Sequence, residues 1–217
     1  MRALFDLKVW LDPEEALQHR WKIQRDVAKR GYTPEAVIKE IEARRPDVEA
    51  YIAPQRRFAD LVVRFHRPPA KADDEHLSVR ITTRSTLPSL NLDGVLDETR
   101  TGVRALSEED AGRPSHILEI DGGIDRDTVR DLEDRIWDHI GSRHQHLRHL
   151  APEQFGDFAD GALKTHHSDP LALTQLLLVH RVLSARKSML LQVDLSAHEA
   201  SDHDHELEGV LHDHDHP

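Results

Sequence analysis

Twice in close succession the chain writes the same helix-opening signature, at Asp12-Pro13-Glu14-Glu15 and at Thr33-Pro34-Glu35. Each offers a side chain that can accept a hydrogen bond from an orphan amide, then a proline whose fixed φ suits the first helical position. An acid follows that complements the positive end of the helix dipole. Gly31 stands between them, where the first helix must stop. These signals predict one helix to about Arg30 and a second through Val37, Ile38 and Ile41 that stops before Pro46. Ahead of them Phe5, Leu7, Val9 and Leu11 alternate with polar or charged neighbours, which predicts a short buried strand over Leu4 to Leu11. After a loop through Tyr51 to Gln55, a further strand is expected at about Ala59 to Phe65. The first 67 residues therefore read strand, helix, helix, strand, and the expected class is α/β, with helices against a mixed sheet.

Beyond Arg67 the prolines Pro68-Pro69 and the charges up to Asp74 read as a linker. Leu77 to Thr83 and Ile117 to Ile120 are expected as strands flanking a polar stretch that contains Gly94, Gly102 and Gly112. Asp125 caps a predicted helix carrying Val129, Leu132, Ile136 and Trp137 to about Ile140, and Pro170 opens an apolar helix to about Arg186. From Asp194 onward the pattern is lost. Three segments follow: 1–67, 68–193, and an Asp/His-rich tail, 194–217, expected to be disordered.

The formal net charge of −11 is unevenly spread over the 217 residues. Residues 1–67 hold 14 Lys and Arg against 11 Asp and Glu, a local balance of +3, whereas residues 194–217 hold 8 acids and no Lys or Arg. A basic opening segment inside an acidic protein suits a local anionic ligand such as a phosphate better than a nucleic-acid track. With no cysteine there is neither a disulfide framework nor a thiolate metal site. No apolar run approaches the roughly 18 residues of a membrane span, and no signal-peptide pattern opens the chain. A cytoplasmic location with no membrane or nucleic-acid partner is the expectation.

On the first helix, a turn of about 100° per residue gathers Lys22, Arg25, Asp26, Lys29 and Arg30 within an arc of about 140°. Ala16, Leu17, Trp21, Ile23, Val27 and Ala28 collect on the opposite side. A helix seeking only solubility would alternate signs at Glu-Lys spacing. Four cations around one carboxylate suit phosphoryl transfer, where developing phosphate charge must be neutralised and a carboxylate can hold a metal.

The run Trp21-Lys22-Ile23-Gln24-Arg25-Asp26-Val27-Ala28-Lys29-Arg30-Gly31-Tyr32 resembles the Lys-x-x-Arg-Asp-x-x-x-Arg-Gly segment of the phosphoribulokinase family, P-loop kinases that include the uridine kinases. Glu42-Ala43-Arg44-Arg45-Pro46-Asp47, Tyr51-Ile52-Ala53-Pro54-Gln55 and Ala59-Asp60 continue the resemblance in the same order. It implies a P-loop-kinase-like mixed sheet, ATP and Mg as cofactors, a sugar-phosphate substrate and a homodimer or higher oligomer. By the same resemblance Asp26 would be the active-site carboxylate associated with metal and catalysis. Lys22 and Arg25 would stabilise the transferring phosphoryl group, Arg30 would bind the phosphate of ribulose 5-phosphate, and Arg44 or Arg45 would answer to an effector.

The family's Gly-x-x-x-x-Gly-Lys-Ser/Thr loop, whose amides cradle nucleotide phosphates, matches nothing in these residues. A truncated start and a natural half-domain both produce that appearance, and in either case the chain alone is expected to be inactive. A uridine-kinase-like enzyme and a non-catalytic regulatory or oligomerisation module stay open as alternatives. Arg30 discriminates the first of these, because a sugar phosphate needs a cation there and an uncharged nucleoside does not.

His139, His144, His146 and His149 cluster around Gly141, and His166-His167 follows. Their spacings dictate no convergent tetrahedral site, so they are expected to face solvent. The tail histidines His198, His203, His205, His212, His214 and His216 alternate with acids and are expected at most to bind metal ions loosely.

Overall fold

The computed structural model describes residues 5, 7–68, 76–85, 102–140, 155–160 and 164–184. Among them a five-stranded sheet runs in the order β1 (Val9–Leu11), β2 (Leu61–His66), β3 (Ser78–Arg84), β5 (Arg113–Ile120), β4 (Val103–Asp110). β1 and β2 pair in parallel, and every other pairing is antiparallel. Parallel neighbours need a long crossover, which here holds two helices, α1 (Glu15–Arg30) and α2 (Pro34–Asp47), and the turns after them. The expected α/β class with a mixed sheet is thus present, as is the order strand, helix, helix, strand.

Register decides which face is apolar, because successive side chains point to opposite sides. Val63, Ile81 and Leu118 lie in one row and Phe65, Val79 and Ile120 in the next. Against this face pack Val129, Leu132, Ile136 and Trp137 of α3 (Arg126–Ile140) and Leu173, Leu176 and Leu177 of α4, residues 169–184. As expected, Asp125 opens α3: its Oδ1 accepts the Thr128 amide at 2.9 Å. The opposite face is charged, with Arg80 donating to Glu119 at 2.7 Å and also to Glu108, and Arg104 donating to Glu119.

Several expectations fail for physical reasons. The strand expected over residues 4–11 is only Val9–Leu11 among the described residues, and it is not a buried one. Val9 and Leu11 are 41% and 64% exposed, since β1 is the outermost strand of the described sheet, and Leu7 alone of the four apolar positions packs against the core. α1 starts at Glu15, later than the Asp12-Pro13 cap predicts, and no side chain caps it. The expected cap is taken by a tertiary partner, for Arg56 donates to Asp12 at 3.3 Å, and Glu14, the residue before the helix, accepts the Arg67 amide at 3.2 Å and its guanidinium at 2.9 Å.

α2 does not stop before Pro46 but runs through it to Asp47. A proline in the last turn removes one intrahelical bond, and the backbone nevertheless stays in the right-handed helical region through Val48. The chain then widens into a π turn, Val48–Ile52, and tightens into a 3₁₀ turn, Ala53–Phe58. The polar stretch between the predicted strands contains β4, joined to β5 by a tight turn in which Ala111 and Gly112 both have positive φ, 51° and 76°. A small hairpin, β6 (Asp157–Ala159) with β7 (Thr165–His167), was also not foreseen. The tail 194–217 and most of the linker lie outside the described residues.

Candidate functional site

α1 ends where Gly31 adopts the left-handed conformation, φ 68°, and its amide returns to the carbonyl of Val27 at 3.1 Å. Three residues later α2 opens on Thr33, whose Oγ1 accepts the Ala36 amide at 3.3 Å, as the second signature predicts. The short connection lays α2 against α1, and each helix buries one apolar side chain completely, Leu17 and Val37. The apolar side read from the sequence is buried only in part, since Trp21 and Val27 stay exposed.

The other fully buried side chain of α1 is Asp26. Its Oδ1 accepts from Arg25 Nε at 2.9 Å and faces an Arg30 nitrogen at 3.5 Å, and its Oδ2 accepts from Lys22 Nζ at 3.1 Å. The cations that close it off are themselves open: the side chains of Arg25 and Arg30 are 51% and 54% exposed and that of Lys22 is 26% exposed. Asp26 is therefore sealed by a thin layer of charged side chains, not by the protein interior. Lys22, Arg25, Asp26 and Arg30 converge as the sequence predicts. Lys29, the fifth member of the arc, makes no hydrogen bond or ion pair with the described residues and stays exposed.

This setting holds the Asp26 carboxyl at about 2, well below its ordinary 3.8, and the first cause is the hydrogen bond from Arg25. Burial opposes the shift, while the Lys22 hydrogen bond and the attraction of Arg25 and Arg30 reinforce it. Arg25 is raised in turn, chiefly by the same hydrogen bond. A carboxyl depressed in the folded state stabilises the fold above its unfolded value and loses that contribution as pH falls. The expected result is loss of the α1 pairings between about pH 4 and pH 2, read as Asp26 carboxyl carbon shifts in an NMR titration. An Asp26 midpoint near 3.8 defeats the assignment.

α2 adds one carboxylate to the group, a residue the sequence reading passed over. Glu40 Oε1 accepts from Lys22 Nζ at 3.5 Å and lies 3.4 Å from Arg44 Nε. Its spacing of four residues to Arg44 was the available signal, but nothing local points it at α1. The two expected effector arginines diverge, for Arg45 pairs with Glu15 at 3.3 Å. As the group stands, both oxygens of Asp26 are engaged by cations, so a metal reaches it only by displacing one of them. Phosphate oxygens need no such displacement, because the outer donors of Arg25 and Arg30 face solvent.

A second charged assembly lies on the polar face of the sheet. Arg84, almost wholly buried, donates through Nε and Nη2 to Asp110 Oδ2 at 3.0 and 2.6 Å and through Nη1 to the carbonyls of Arg56 and Ala59, both at 2.9 Å. Beside it a cleft of about 110 Å³ is lined by Asp12, Arg56, Arg64, Arg80, Glu108 and Asp110 among others. Asp26 is not among its lining residues.

Of the described histidines expected to face solvent, His139, His166 and His167 do so at least in part, and the last two pair with acids. His166 Nε2 lies 2.8 Å from Asp160, and His167 spans Asp157 at 2.8 Å and Asp169 at 3.1 Å. His139 stacks on His180, which is buried and whose pKa is lowered to about 4 mainly by that burial. Among the described residues no group of three or more His, Asp or Glu converges on a metal-sized site. His144, His146, His149 and the tail histidines lie outside the described residues.

Residues 1–70 match the family model described as Phosphoribulokinase / Uridine kinase family. The chain is 29% identical over 189 residues to the chloroplastic phosphoribulokinase of Triticum aestivum, covering 78% of this chain and 44% of that protein. It is 29% identical over 188 residues to the phosphoribulokinase of Synechocystis sp., covering 78% and 53%. A uridine kinase of Lactococcus lactis is 33% identical over 64 residues, 29% of this chain and 31% of that enzyme. The resemblance expected from the residues around Asp26 is thereby shown, and the mixed sheet with its helices accords with a P-loop-kinase-like fold. The chain spans about half the length of the phosphoribulokinases it matches. Among the described residues no helix is long and apolar enough to cross a membrane.

Proposed function

We propose that this chain carries the phosphate-facing helix of an ATP-dependent, phosphoribulokinase-like kinase that converts ribulose 5-phosphate to ribulose 1,5-bisphosphate. The observation that carries the reading is the convergence of Lys22, Arg25 and Arg30 on Asp26, with the outer faces of both arginines open to solvent. In the transfer a sugar hydroxyl oxygen bonds to the γ-phosphorus of ATP as the bond to ADP breaks, and the hydroxyl proton passes to a base outside this group.

Lys22 and Arg25 neutralise charge on the equatorial phosphoryl oxygens, Lys as a point charge and Arg through a fork of donors. Arg30 holds the phosphate already on the sugar. Asp26 keeps all three cations oriented until ligand arrives. A divalent cation would neutralise the nucleotide phosphates, and Asp26 would be the carboxylate of this group that could hold it.

The 217 residues contain no Gly-x-x-x-x-Gly-Lys-Ser/Thr run, so the chain alone is expected to bind sugar phosphate without turning it over. Calorimetry of the purified chain with ribulose 5-phosphate and with uridine tests this. Arg30→Ala is expected to weaken ribulose 5-phosphate binding by about tenfold or more, the scale of a lost charged hydrogen bond, and to leave uridine unaffected. Binding of uridine but not of the sugar phosphate would favour the nucleoside-kinase reading that the Lactococcus lactis match supports. Robust ATP-dependent turnover by this chain would overturn the expected inactivity.

A further inference from the structure

Among the described residues Lys22 is the member of the cluster that hydrogen-bonds α2, and the residue it reaches has no role in the reading above. Its ammonium lies 3.1 Å from Asp26 Oδ2 on its own helix and 3.5 Å from Glu40 Oε1, 18 residues away on the next. The two acceptors differ. Asp26 is sealed, whereas the Glu40 side chain is 35% exposed and is shared with Arg44 at 3.4 Å. An ammonium has three donors on a flexible stem, so the shorter, buried bond acts as the pivot and the longer, wetter bond is the one that gives way.

We propose that Glu40 is a positioning residue that competes with incoming phosphate for Lys22. The inference rests on the phosphate-binding reading of the α1 cluster. With no ligand, Glu40 holds the ammonium toward α2. When a phosphate reaches Arg25 and Arg30, Lys22 turns about its Asp26 bond, leaves Glu40 and donates to the phosphate. Glu40 keeps Arg44 as its partner, so its charge is not stranded by the move.

Inorganic pyrophosphate is a sufficient probe, read by calorimetry at low salt on the purified chain. Glu40→Gln keeps the side-chain size and an acceptor oxygen but removes the competing charge. It is expected to tighten pyrophosphate binding about two- to fivefold, the scale of a partly exposed ion pair. Most of the gain should disappear when Lys22→Met is already present, since Glu40 hydrogen-bonds Lys22 and reaches Arg25 only through its field; a double-mutant cycle isolates that coupling. An equal gain in both backgrounds would mean a plain field effect and overturn the proposal, as would no gain or a loss. A merely structural role would lower the melting temperature in both backgrounds without any Lys22-dependent change in affinity. If the unsubstituted chain binds no pyrophosphate, or binds it indifferently to Lys22→Met and Arg25→Ala, the phosphate-binding reading itself fails and this inference with it.

Discussion

Arg84→Ala is expected to destabilise the fold by about 3–5 kcal/mol, the cost of removing one partner from a buried ion pair, read as a lowered urea midpoint. Arg84 sits at the end of β3 with almost no exposure, and its guanidinium ties three elements together. Asp110 ends β4, and the Arg56 and Ala59 carbonyls belong to the turn that delivers the chain to β2. After the substitution the Arg56 carbonyl still receives the Ala59 amide at 3.1 Å and Asp110 still receives Arg56 at 3.2 Å. The Ala59 carbonyl loses its guanidinium donor in a buried place, and Asp110 loses its shortest bond. Arg84→Lys should recover only part of the loss, since one ammonium cannot reproduce a planar fork. An unchanged midpoint for Arg84→Ala would show that the network holds nothing together.

Leu132→Ala is expected to cost about 2–5 kcal/mol, the range for emptying a fully buried leucine site. Leu132 has no exposed surface and stands in the core between α3 and the sheet, among Val129, Ile136 and Trp137. Val182→Ala is its control: that side chain on α4 is 51% exposed, so the change should stay within about 0.5 kcal/mol. Comparable losses at the two positions would mean that α3 does not pack against the sheet face described here.

What the sequence made legible were features coded within a few residues. Thr33 with Ala36, Asp125 with Thr128 and Gly31 at the end of α1 satisfy their helix termini locally, and each was readable without knowing the fold. So was the gathering of Lys22, Arg25, Asp26 and Arg30, because helical geometry alone brings residues one turn apart together. The failures are contacts made across the chain. Asp12 looks like a cap and Glu14 like a dipole-complementing acid, but they answer to Arg56 and Arg67, some 44 and 53 residues away. β4 is a sheet edge whose alternation is diluted by Arg104, Ser107 and the acids Glu108 and Asp110, which pair with Arg80, Arg84 and Arg56. Glu40 reads as an ordinary surface acid until α2 is laid against α1. Trp21 and Val27 lie on the apolar side by spacing, yet they stay 39% and 37% exposed, so periodicity overstated what that side of α1 buries.

The thin covering over Asp26 also has a kinetic meaning. Exposed side chains hop between rotamers in picoseconds to nanoseconds, whereas domain closure takes microseconds or longer. The donors that hold Asp26, on Lys22, Arg25 and Arg30, can therefore exchange partners at side-chain speed, without any movement of α1 against α2.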